Sequence, residues 1–213
     1  MTDTRTRLLA TAERLFAARG IDAVSLREIT REAGAKNAIA VQYHFDDRAG
    51  VLQAIFEKHV PEVEARRHAM LDEYEANGTA DLRAMASALV RPLAAKLVDP
   101  DGGREFLQIY AELLDRPQQP STTKASDDSL QRWRRVLEPL LDEDAVRLHR
   151  RFTAILHTAI ELSRRARDRA RADDRLFTSY LIDVVTAILA APVSDETKRL
   201  AVERDRKRRR SAS

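Results

Sequence analysis

The segment Ser25-Leu26-Arg27-Glu28-Ile29-Thr30-Arg31-Glu32-Ala33-Gly34 opens with a helix start marked by its residue types. Ser25 and Glu28 have capping-box spacing, and Val24 with Ile29 suits the hydrophobic staple that sets the entry of the chain. Gly34 ends this helix in a turn, after which residues 37–45 are long enough for one more short helix. Upstream, Leu8, Leu9, Ala12, Leu15 and Phe16 recur at helical spacing, and Gly20 follows as a stop. Downstream, Asp46 or Asp47 caps a fourth helix that carries Val51, Leu52, Ile55, Phe56 and His59 on one face, with a kink expected at Pro61. Three short helices thus fill residues 1–46. The second and third form a helix-turn-helix pattern, in which the second helix of the pair enters the major groove of DNA and the first braces it.

The remaining sequence is helical as well. Leu82, Met85, Leu89, Leu93 and Leu97 mark one stripe; Phe106, Leu107, Tyr110, Leu113 and Leu114 a second; Leu130, Trp133, Leu137 and Leu140 a third. Two longer helices are expected over residues 144–169 and 174–190. Residues 116–129 are polar, hold two prolines and read as a mobile loop. No β alternation appears, and with Gly 6 and Pro 7 among 213 residues turns are scarce, so the fold class is all-α. Residues 204–213 read as a basic tail with nothing to bury, expected to be disordered.

Composition removes several classes of function. With Cys 0 there is no thiol nucleophile, disulfide scaffold or thiolate metal site, and no glycine-rich phosphate loop or His-Glu-x-x-His motif points to an enzyme. Glu57, His59, Glu62 and Glu64 suggest a metal site, but Pro61 interrupts their phase and an exposed charged face explains them better. No cofactor is expected. The N-terminus lacks a signal-like apolar run, and the longest apolar stretch, residues 184–193, is about half the ~20 residues a bilayer span needs. A cytoplasmic protein with no membrane role is therefore expected. The net charge of +3 does not by itself announce a nucleic-acid partner.

The segment from Ser25 to Gly34, taken with Val41-Gln42-Tyr43-His44-Phe45-Asp46-Asp47-Arg48-Ala49-Gly50-Val51-Leu52, resembles the DNA-binding domain of the TetR family of bacterial transcriptional regulators. The resemblance covers residues 5–56, and Gly34 to Ala40 is one residue longer than the family's commonest turn. It implies a three-helix DNA-binding domain over residues 1–46 and an effector-binding and dimerisation domain over residues 47–203. It also implies a homodimer that binds double-stranded DNA at a palindromic operator, is released by a small-molecule effector, and acts as a repressor.

On chemistry alone, Gln42 can pair bidentately with adenine and Arg27 with guanine, each worth about 1–3 kcal/mol of base discrimination. By resemblance, Arg27 also matches a base-contacting position, and Tyr43, His44 and Arg48 match phosphate-contacting positions. Ser25, Lys36 and Asn37 complete the candidate surface. An isolated exposed Arg is by default solvated and an isolated Tyr by default packs, so it is the joint pattern that favours DNA. Candidate effector contacts, from the middle helices, are Met85, Leu89, Phe106, Tyr110, Trp133, Phe152 and His157, although plain core packing accounts for each of them too. Trp133 and Tyr110 stand out because a buried donor wants a partner. Candidate dimer contacts are Phe152, Leu156, Ile160, Phe177, Tyr180, Leu181, Val184 and Ile188, with intrachain core as the alternative. The fourth helix, leaving the helix-turn-helix without a linker, is the expected transmitter of effector binding. A helical interaction or ligand-binding module that does not read DNA remains the competing interpretation.

Overall fold

The computed structural model describes residues 4–35, 37, 39–116, 128–168 and 173–211, and every regular element among them is helical. The polar segment 117–127 and Lys36 lie outside the described residues. Three short helices come first: α1 (Thr4–Arg19), α2 (Leu26–Glu32) and α3 (Ala40–Phe45). A long α4 (Arg48–Ala76) follows, then α5 (Leu82–Ala94), a 3-10 turn (Ala95–Leu97) and α6 (Gly103–Asp115). The chain continues with α7 (Asp128–Leu137), a second 3-10 turn (Glu138–Leu140), α8 (Glu143–Arg147), α9 (Arg150–Arg167), α10 (Asp174–Ala190) and α11 (Asp195–Ser211).

The capping signals work where expected, with one addition. The Ser25 hydroxyl accepts from the Glu28 N–H at 3.2 Å, and Val24 and Ile29 are both fully buried. The Glu28 carboxylate, besides its capping-box interaction with the Ser25 backbone N–H, also pairs with Arg19 on α1. Asp47 caps α4 through the Gly50 N–H at 2.8 Å.

At Pro61, the site of the expected kink, α4 continues as one helix, with Pro61 exposed and His59 and Val63 buried. Three expectations are corrected. The third helix begins at Ala40 instead of Asn37, because the Asn37 side chain accepts from the Ile39 N–H and its carbonyl from the Ala40 N–H, which spends three residues on a turn. The single helix expected over residues 144–169 is two, separated at His149, whose φ of +58° belongs to the left-handed region. Finally, the tail expected to be disordered from residue 204 is part of α11 up to Ser211. Arg147 on α8 bonds Asp205 at 2.6 Å and Ala201 is buried, so this segment does have something to dock against.

α4 is the spine. Its first half packs on α1 and α3, and its second half on α5 and α7. α6 lies between α1 and α9, and α10 packs on α5 and α9. One hydrophobic cluster runs through the whole arrangement, from Leu8 and Phe16 on α1 to Val185 and Leu189 on α10. Among the described residues no single helix is long and apolar enough to cross a membrane.

Candidate DNA-binding surface

α3 is short and strongly two-faced. Ala40, Val41 and Phe45 are buried, whereas Gln42 is exposed and Tyr43 is 81% exposed. A tyrosine left so far out of the core is not serving as packing. His44 is half-buried and sets its ring edge-on to Tyr43 at 5.0 Å. The buried face is held from both sides. The Arg5 guanidinium lies 5.1 Å above the Phe45 ring, and the start of α4 closes on the end of α3. That junction is tight: Asp46 has φ +67°, its neighbour Asp47 bonds back to the Phe45 carbonyl, and a Cβ on Gly50 would stand 1.8 Å from the same carbonyl oxygen.

Around α3 the other candidates divide by task. Arg27 and Ser25 are exposed at the start of α2, as is Asn37 in the turn. Arg48 is partly exposed: it donates to the Val24 carbonyl at 2.9 Å and to Asp22 at 3.3 Å, and so braces the loop between α1 and α2. Asp22 also takes Arg116 from α6 at 2.9 Å, while Glu112 accepts from the Ile21 N–H at 3.0 Å. The module is therefore pinned to α6 as well as to α4. The Arg19 guanidinium holds the Glu28 carboxyl below its ordinary pKa, keeping the link between α1 and α2 charged at neutral pH.

Sequence reasoning passed over Ile39, which is 57% exposed at the entrance of α3. Beside Ala40 and Val41 it looks like one more core residue, and only the turn's register puts it outside. It also passed over Arg5, for which no local spacing signals the Phe45 ring.

The residues chosen for an effector do not form one lining. Met85, Leu89, Phe106 and Trp133 are core, and the Trp133 indole N–H already donates to the Met85 carbonyl at 2.8 Å. Phe152 is 44% exposed on the outside of α9, away from an interior cavity. Tyr110 and His157 are half-buried. Two open grooves of about 630 and 770 Å3, one between α1, α6 and α9 and the other between α8 and α11, touch none of these seven residues. Among the dimer candidates Leu181 is only 3% exposed and belongs to the intrachain core, because its side of α10 packs inward. Phe152, Ile160 and Tyr180 are exposed, and Leu156, Phe177, Val184 and Ile188 partly so.

Residues 8–55 match the family described as bacterial regulatory proteins, tetR family. That match covers the helix-turn-helix region, so residues 8–55 carry a TetR-type DNA-binding domain. TetR-family proteins are non-enzymatic DNA-binding regulators. In fold, this chain is similar to a probable transcriptional regulatory protein named RHA5900, at 21% identity and a TM-score of 0.56 over 88% of this chain and 100% of that one. Two further solved structures are more distant. NalD, the secondary repressor of the MexAB-OprM multidrug efflux pump in Pseudomonas aeruginosa, is 18% identical with a TM-score of 0.49, covering 89% and 97% of the two chains. A tetR-family regulatory protein from Rhodococcus RHA1 is 17% identical with a TM-score of 0.49, covering 91% and 100%. Among curated proteins, none matches this chain.

Proposed function

We propose that this chain is a TetR-family regulator, a cytoplasmic homodimeric repressor that reads a palindromic operator through α3 and is released by a small-molecule effector. The observation that carries the DNA reading is the division of α3 into a buried apolar face and an outward face bearing Gln42 and Tyr43. Gln42 and Arg27 are the base readers, through adenine and guanine edges respectively, and Ile39 is placed for contact with a thymine methyl. Tyr43, His44, Ser25, Asn37 and Lys36 are phosphate contacts, which fix register. Arg48 acts by bracing the module.

Dimerisation through the outer faces of α9 and α10 is supported by the exposure of Phe152, Ile160 and Tyr180. A two-fold pair sets two recognition helices on successive major grooves, about 34–36 Å apart. For the effector, α4 and α6 are the transmitting elements, because both touch the module and the body. An effector acts only through different affinities for the bound and released arrangements.

Selection of purified protein against random duplexes, followed by salt titration of the winner, tests the reading. An enriched palindrome with a steep negative salt slope supports it. Absence of enrichment at low salt sinks it and leaves the helical interaction module in its place.

A further inference from the structure

Behind the recognition surface, where α1 meets the body, lies a cluster of charged groups that operator contact does not use. Glu13 on α1 is 2% exposed and His59 on α4 is 1% exposed. Their side chains meet at 3.0 Å, His59 Nε2 to Glu13 Oε1. The other Glu13 oxygen takes Lys58 at 3.0 Å, and Lys58 also holds Asp101 at 2.8 Å. From the 3-10 turn, the nearly buried Lys96 bonds Asp99 at 2.9 Å and Glu62 at 2.5 Å. The His59 ring stacks on Phe106 of α6, centroids 4.8 Å apart. The cluster therefore joins α1, α4, the 3-10 turn and the loop that leads into α6.

One atom in it is incomplete. His59 Nδ1 is buried without a hydrogen-bond partner and faces Asp99 Oδ2 at 3.8 Å. A buried polar atom without a partner is uncommon and costly. With Nε2 donating to Glu13, a neutral ring turns the Nδ1 lone pair towards a carboxylate. A second ring proton replaces that lone pair with a donor aimed at Asp99, and the ring becomes a cation among four carboxylates (Glu13, Glu62, Asp99, Asp101) and two ammonium groups (Lys58, Lys96).

We propose that Glu13 and His59, with Asp99 facing the ring, are positioning residues that clasp the DNA-binding module to the body, and that the clasp tightens when His59 takes a proton. This rests on the operator reading above. A tighter clasp lowers the conformational freedom lost on binding and so favours operator contact.

The informative variant is His59→Gln, whose amide nitrogen can replace Nε2 towards Glu13 but has no counterpart of Nδ1 and does not titrate. Two measurements are made on wild type and this variant between about pH 8 and about pH 6, the range over which a histidine changes charge. The first is operator affinity. Wild type is expected to gain about fivefold or more over H59Q as pH falls, and because His44 is present in both proteins its own titration cancels in the comparison. The second needs no DNA: hydrogen exchange at amides of residues 13–20 and 103–107, corrected for intrinsic rates, is expected to slow at low pH in wild type and not in H59Q. Asp99→Asn should blunt both responses. Parallel operator profiles overturn the proposal. If no duplex binds at all, the DNA reading fails, and exchange alone decides: an equal pH response in wild type and H59Q then overturns the clasp.

Discussion

The N-terminal module and the helical body handle charge in opposite ways. From α1 to α3 most apolar side chains go inside, Arg27 and Gln42 stay in water with Tyr43, and the buried charge is Glu13, where α1 meets the body. The body buries charge deliberately. Arg67 on α4, 3% exposed, donates to the Ala88 carbonyl at 3.2 Å and to the Ser129 hydroxyl at 2.7 Å. Glu64 beside it accepts from the Ser129 N–H at 2.7 Å. Arg165 bonds Asp174 at 2.7 Å under the ring of Phe177, tying the end of α9 to the start of α10. Charge that stays solvated is available to a partner, and charge that is buried is committed to its own chain. Position on the surface, more than residue type, separates a recognition arginine from a structural one.

The sharpest way to break the module while sparing the body is Gly50→Ala. The added Cβ falls 1.8 Å from the Phe45 carbonyl oxygen, so α3 or α4 has to move. A cost of about 3 kcal/mol is expected, with specific duplex binding lost and most helical content kept, as checked by fluorescence anisotropy and far-UV circular dichroism. Normal operator binding by G50A would show that the junction tolerates displacement.

The reverse case is Arg67→Ala, which strips the ties to Ala88, Ser129 and Glu64 in the body, away from the module. Removing one member of a buried charged network costs about 3 kcal/mol. Urea unfolding should show that loss, while the fraction still folded binds operator nearly as wild type. If R67A instead lost operator affinity at unchanged stability, α4 would be transmitting strain along its whole length.

Gln42→Ala separates recognition from folding more finely. It should cost about 1–3 kcal/mol of discrimination at one base pair of each half-site, with the melting temperature nearly unmoved because Gln42 is exposed. Equal loss on every duplex would demote Gln42 to a phosphate contact.

The same contrast explains what could be read in advance. The module is written in short-range signals, namely the Ser25 cap, the Val24 and Ile29 staple, the Gly34 turn and the Asp47 cap, and each of these acts within about five residues. The body's ties are long-range. Nothing near His59 announces Glu13, 46 positions away, and grouped with Glu57, Glu62 and Glu64 the histidine reads as a metal ligand or as part of an exposed charged face, whereas it is buried. The break at His149 carries no glycine or proline to mark it, and α11 has too few apolar residues to signal docking. Phe152 and Trp133 shared a helical stripe pattern, yet one is outside and the other at the centre. Periodicity identifies a buried face but not what that face meets.

The smallest expected effect lies at the far end of the body, where charge is neither buried nor offered to DNA. The Arg147 guanidinium, and after it Arg204, holds the Asp205 carboxyl below its ordinary pKa. A carboxyl lowered in the docked state contributes fully above its ordinary range, and that contribution is lost as pH falls through the lowered value. α11 should therefore loosen from α8 in acid, and slightly at high salt, since an exposed pair is screened. Asp205→Asn should reproduce the acid state at neutral pH: faster hydrogen exchange over residues 200–211, with operator affinity unchanged within about twofold. If wild type and D205N exchange alike at neutral pH, the ion pair is idle and burial of Ala201 alone keeps the helix in place.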